Sequence, residues 1–188
     1  MRKRKMSKKK KKTIFSMVII LILVIIGGGY FILNNKDLAK KIKEKVELKK
    51  LKIVDQDSKT RPYAVMINNH AKARINHAGL DDAYIVYEAI AEGGLTRLMA
   101  IFKDKDTDRI GSVRSSRPYF LDYALENDAI YVHFGGSSQA LSDIKTLDID
   151  NIDGMSTASA FWRDRTLGVA LEHTAFTNME KLKSAVSD

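Results

Sequence analysis

Residues 83–102 read AYIVYEAIAEGGLTRLMAIF: two apolar runs rich in Val, Ile and Tyr, at 83–90 and 96–102, separated by Glu92-Gly93-Gly94. Short β-branched and aromatic runs bounded by a glycine turn signal two strands and a hairpin. Working outward, residues 63–68 (YAVMIN) and 129–134 (AIYVHF) repeat the same composition, and residues 109–113 make a shorter strand candidate. Helices are expected over 118–126, where Pro118 takes the first helical position, and over about 138–145. A third starts near Thr177, where Thr177-Asn178-Met179-Glu180 has the form of a capping box. Strands and helices mixed in this way predict a mixed α/β fold, a central sheet with flanking helices. Roughly 130 residues are enough for one core. The third helix runs into the last residue, so the domain, taken as 61–188, is expected to be truncated at its C-terminal end.

The N-terminal part is different in kind. Residues 1–12 hold nine Lys or Arg and no acid, and residues 13–35 (TIFSMVIILILVIIGGGYFILNN) carry no charge at all. An apolar run of that length matches the ~20 residues a helix needs to cross a bilayer. It is longer than a signal-peptide core, and Gly27-Gly28-Gly29 leads into Tyr30-Phe31-Ile32-Leu33, not into a polar mature start. The reading is an uncleaved single-pass anchor after a basic cytoplasmic tail. The chain has no Cys, so it has no lipid-bearing residue and no disulfide.

The formal net charge of +9 lies wholly in the tail, and the other 176 residues balance at 23 basic against 23 acidic. No nucleic-acid partner is read from it. Residues 36–60 form a Lys-rich stalk or linker, with 36–52 helical and either solvated or lying on anionic headgroups. Its eight Lys blunt the positive-inside signal. The compact acid-free tail favours the N-terminus inside and the C-terminal domain outside. From Ile53 onward there are 15 basic and 20 acidic residues.

Two strand–loop–helix transitions carry the chemistry. In the first, IGSVRSSRPY at 110–119, Arg114 and Arg117 flank Ser115 and Ser116, with Arg117 at a helix start. Guanidiniums, hydroxyls and free backbone N–H groups together suit a phosphate or carboxylate. The second, Phe134-Gly135-Gly136-Ser137-Ser138, permits close backbone approach. If both lie at one sheet edge they form a single anion-binding cleft. The competing reading pairs Arg114 and Arg117 with Asp122, Glu126 and Asp128 and ties helix to sheet.

His133, beside the glycine loop, and Asp122 are the catalytic candidates, although a buried hydrogen-bonded His is the commoner case. His70 reads as a loop cap. His70, His77, His133 and His173 show no ligand spacing, and no metal or other cofactor is expected. Asp-rich stretches at 104–108 and 148–154 miss the calcium-loop pattern and read as acidic turns. Phe161-Trp162 with Arg163-Asp164-Arg165 reads as a core aromatic with a charged edge, or as the wall of a groove.

The runs RPYAVMINN (61–69), GLDDAYIVYEAIAEGGLTRLMAIF (79–102), IGSVRSSRPYFLDYALENDAIYVHFGGSSQ (110–139) and FWRD (161–164) resemble the N-terminal domain of the YerB-like family, extracytoplasmic lipoprotein-type proteins of Gram-positive bacteria. The resemblance implies a mixed α/β domain of unknown function followed by a second domain, and it transfers no catalytic residue. Family lipoproteins carry a lipid-bearing Cys, where this chain resembles a variant held by a transmembrane helix. Near His173 the family shows His-Asn, and here Thr174 follows. The expectation is a membrane-anchored envelope protein with the lipid bilayer as one partner. Its domain binds an anionic cell-wall polymer, a lipid-linked precursor or an envelope protein. The alternative is an enzyme acting on lipid-linked phosphate or other wall precursors.

Overall fold

The computed structural model describes residues 16–24, 27, 40, 41, 54, 55 and 57–187. The chain divides into two units, Met1–Lys52 and Ile53–Asp188. In the first, residues 16–24 are helical and exposed. The expected tail, most of the expected anchor and nearly all of the helical stalk lie outside the described residues. Among the described residues, no helix is long and apolar enough to cross a membrane.

The second unit is mixed α/β. Its strands are β1 (Tyr63–Ile67), β2 (Ile85–Ile90), β3 (Thr96–Phe102), β4 (Ile110–Gly111), β5 (Ile130–His133), β6 (Asn151–Asp153), β7 (Trp162–Arg163) and β8 (Ala175–Thr177). Its α-helices are α1 (Ala71–Arg74), α2 (Leu121–Glu126), α3 (Ser138–Thr146) and α4 (Met179–Ser187). The main sheet has the order β2-β3-β1-β5-β6 and the smaller sheet β4-β8-β7. β2/β3 and β1/β3 are antiparallel, as the hairpin reading predicts, and β1/β5 and β5/β6 are parallel.

Alternation sorts the β1 side chains into two cores. Tyr63, Val65 and Ile67 pack with Val132, Phe102, Val113, Ala175 and Leu182, against the small sheet and α4. Ala64 and Met66 pack with Met99, Tyr131, Phe120, Leu121 and Ile144, against α2 and α3. All five residues of β1 are therefore buried, as in a strand covered on both faces. β2 is an edge strand and alternates between half-buried and exposed positions.

Two local readings change. Residues 148–154 are not simply an acidic turn, because Asn151–Asp153 pairs in parallel with β5. Only Ile149 and Ile152 there are apolar, so the strand is made by its neighbour and carries no pattern of its own. The cap of α4 is Asn178, whose Oδ1 accepts the Lys181 N–H at 2.8 Å. Thr177 ends β8 and donates its hydroxyl to the Ala160 carbonyl at 2.7 Å. The folded unit also reaches back past residue 61: Ser58 and Thr60 donate to Asp104, and Lys103 donates to the Ser58 carbonyl.

Candidate anion-binding site

The two transitions meet. Residues 113–117 run between the ends of the parallel neighbours β1 and β5. Val113 bridges to Ile67, the Arg114 N–H donates to Met66, and the Phe134 N–H donates to Arg114. Ser116 N–H then donates to the Gly135 carbonyl at 2.8 Å, Ser137 N–H donates back to Ser116, and Ser116 pairs in parallel with Gly136. Such a crossing needs its glycines. Gly135 has φ +69°, and a Cβ on Gly136 would sit 3.2 Å from the Ser116 Cβ. The site lies at the carboxyl ends of parallel strands, where open α/β sheets commonly hold ligands.

The hydroxyls are mostly spent on the fold. Ser116 is fully buried and its Oγ accepts the Tyr131 hydroxyl at 3.0 Å. Burial also pushes the Tyr131 phenol well above its ordinary range. Ser137 caps α3, accepting the Ala140 N–H at 3.2 Å. Ser138, the first residue of α3, is exposed, and Ser115 is half-buried.

The arginines diverge. Arg114 pairs with Glu172 at 3.0 Å and donates to its carbonyl. With Ser115, Phe134, Met155, Arg163 and Glu172 it lines a small concavity of about 180 Å³. Arg163 lies there with its guanidinium 4.2 Å from the centre of the Phe134 ring. Arg117 pairs instead with Glu92 and lines a separate concavity of about 650 Å³ with Tyr119, Asp122, Ser137, Gln139 and Asp143. Both arginines are ion-paired, but to Glu92 and Glu172, not to the nearby Asp122, Glu126 or Asp128. Asp128, with Asp150, pairs with Arg61.

Sequence reading missed Arg97. It sits on β3 with its side chain 9 % exposed, donates to the Ser115 carbonyl at 2.7 Å and faces Glu92 at 3.5 Å. Arg117 donates to the next carbonyl, Ser116, also at 2.7 Å. Consecutive carbonyls thus hold two guanidiniums beside one carboxylate. The hydrogen bond from Arg117, helped by the Arg117 and Arg97 charges, holds the Glu92 carboxyl down to about 2. Burial lowers the Arg97 pKa, and Arg117 and Arg114 lower it further, outweighing Glu92. Arg163 is lowered likewise by burial and by Arg114 and Arg165. Positive charge is in excess along this seam. Its mark in the sequence is a single charge at the start of an otherwise apolar strand, and nothing local points to its partners.

His133 and Asp122 do not come together as an acid–base pair. His133 is fully buried, with Nδ1 2.9 Å from the Gly135 carbonyl and Nε2 3.2 Å from Asn151 Oδ1. Asp122 is exposed on α2, facing the larger concavity. His70 does cap α1, accepting the Lys72 N–H. It stacks on His173 with ring centres 4.9 Å apart. Asn68, which follows β1, donates to His173 Nδ1 at 2.8 Å, accepts the His70 N–H, and offers its carbonyl to His77 Nε2 at 2.6 Å. Among the described residues, no His, Cys, Asp or Glu group is arranged to hold a metal. Phe161 is buried, and Trp162 stacks on Phe176.

Against this geometry, the profile described as "Protein of unknown function (DUF3048) N-terminal domain" matches residues 50–188. The chain is 38 % identical over 150 residues to the candidate lipoprotein YerB of Bacillus subtilis (strain 168), covering 79 % of this chain and 44 % of that protein. It also superposes on the crystal structure of YerB protein from Bacillus subtilis with a TM-score of 0.66 at 37 % identity, covering 71 % of this chain and 46 % of that one. The chain thus spans less than half the length of the relative it matches.

Proposed function

The chain belongs to the DUF3048 N-terminal domain family, the YerB-like family, and on that premise we propose that it is a membrane-anchored, extracytoplasmic envelope protein whose folded domain binds an anionic cell-wall group. The observation that carries the binding reading is that Arg97 and Arg117 share the carboxylate of Glu92, while Arg114 and Arg163 line one concavity with Glu172; Asp122 and Asp143 stand with Arg117 in the larger concavity. Anion recognition by guanidinium forks is strong when the forks are held in place, as the Ser115 and Ser116 carbonyls hold two of these.

Placement in the envelope is supported by the relative's description as a lipoprotein. With no Cys to carry a lipid, this chain offers the uncharged run 13–35 instead. Its described residues, 16–24 and 27, are helical, with eight consecutive exposed apolar side chains from Met17 to Val24. The bilayer is then one partner and an anionic wall polymer or lipid-linked precursor the other. Protease added to intact cells removes the domain under this reading; a protected domain refutes the outside placement.

The binding test is the pair Arg114→Ala with Arg117→Ala in the full chain. Retention on isolated anionic wall polymer falls at least tenfold while Tm shifts by only a few degrees, because both ion pairs are partly exposed. A large fall in Tm with binding retained assigns the arginines to bracing the fold.

A further inference from the structure

Two guanidiniums that share one carboxylate carry an uncompensated charge, and here the carboxylate comes from a part of the chain with little else to hold it. Arg97 and Arg117 are fixed from behind by the Ser115 and Ser116 carbonyls. In front, both meet Glu92, whose side chain is 62 % exposed. Each guanidinium has five N–H donors, and the bonds to one carbonyl and one carboxylate leave donors of both uncommitted. Glu92 opens the turn Glu92–Gly94, which buries no residue. A Cβ added to Gly93 or Gly94 would meet nothing within 4 Å. The turn is closed by the Ala91 N–H donating to the Leu95 carbonyl at 2.6 Å. Withdrawing Glu92 therefore exposes no core. The concavity of about 650 Å³ beside it is lined by Arg117, Tyr119, Ser137 and Gln139, with Glu92, Asp122 and Asp143 as its acids.

We propose that Arg97 and Arg117 form a binding fork for a phosphate monoester, and that the Glu92 carboxylate is a tethered occupant which that phosphate displaces. This deepens the anion-binding reading above and rests on it. A phosphate monoester dianion neutralises both guanidiniums, where one carboxylate neutralises only half their charge. It also brings three acceptor oxygens to donors held in fixed planes. Glu92 in turn excludes monoanions, because a lone carboxylate gains nothing over the one already present. The phosphate has two sources in an envelope, the terminus of a wall polymer or a lipid headgroup, and the fork chemistry is the same for both.

The test titrates the full chain in detergent with sn-glycerol 3-phosphate, and in parallel with vesicles containing phosphatidic acid, comparing wild type, Glu92→Gln, Glu92→Asp and Arg117→Ala. Displacing a partly exposed ion pair costs up to about fivefold in affinity, so Glu92→Gln tightens glycerol phosphate binding by about that factor. Glu92→Asp keeps the charge but draws it back by one methylene, and it tightens binding too; a general change in surface potential would leave that variant unaltered. Arg117→Ala loses binding. A response to glycerol phosphate points to a polymer terminus, and a response to vesicles alone points to a lipid. Wild-type binding that is unchanged or weakened in both Glu92 variants overturns the displacement and leaves anion binding standing. Absence of phosphate binding in every form, alongside retention on wall polymer, removes the fork as a phosphate site; loss of both removes the anion-binding reading itself.

Discussion

Two polar clusters sit near the carboxyl end of β1, and they are built on opposite principles. After β1, Asn68 spends both ends of its side chain and its carbonyl on His173, His70 and His77, and it is 3 % exposed. Where β3 begins, Arg97 and Arg117 share Glu92 of the β2–β3 turn and keep donors unspent. A closed network of buried hydrogen bonds specifies one structure. An open one with excess charge is free to take a ligand. The histidine corner therefore reads as the brace and the arginine seam as the working surface, although histidines draw the eye first in a sequence.

The largest effect that bears on this contrast is Asn68→Ala. It strands the His173 Nδ1 in the interior and the His70 N–H at a half-buried position, and an unsatisfied buried group costs roughly 1–3 kcal/mol. A loss of about 3 kcal/mol in urea unfolding is expected, with anion binding by the surviving folded protein unchanged. A stable variant that loses binding reverses the roles of the two clusters.

A smaller effect is expected from Tyr131→Phe, which removes the donor to the buried Ser116 Oγ at the crossing itself. One neutral hydrogen bond is worth about 1 kcal/mol net. The unfolding free energy should fall by that amount and no more, because the crossing is also held by the backbone bonds of Ser116 to Gly135 and Ser137. A loss several times larger would place the crossing, not the Asn68 corner, at the centre of the fold's polar specification.

How much of this was legible follows from what local pattern can encode. The β2–β3 hairpin, β1 and β5 were readable because β-branched runs and a Gly-Gly turn are local signals. The meeting of Ser116 with Gly136 was readable as a condition, since both loops end strands and start helices. β6, β7 and β8 were not, being short segments of two or three residues that owe their extension to partners distant in sequence. The ion-pair partners were misplaced for the same reason. Glu92 and Glu172 are 25 and 58 residues from Arg117 and Arg114, whereas sequence reasoning could weigh only the acids close by. Arg97 gave one faint signal, a charge beginning an otherwise apolar strand.

The smallest effect in energy is the most direct on the open cluster. Glu92 is held down to about 2 chiefly by its hydrogen bond to Arg117, against an ordinary value of 4.5. A carboxyl lowered by folding stabilises the native state fully above its unfolded value, and that contribution is lost as pH falls through the folded one. The window here runs from roughly pH 4.5 down to about 2. Because Glu92 is largely exposed, the stability involved is modest and screened by salt. The titration itself is the sharper readout. By NMR the Glu92 carboxyl should move through its midpoint near pH 2 in the wild type and return toward the ordinary carboxylate range in Arg117→Ala. The Glu172 carboxyl, lowered by Arg114 at the other concavity, should not follow it. If both carboxyls shift together, the two arginines act as one site, and the division of the seam into separate concavities fails.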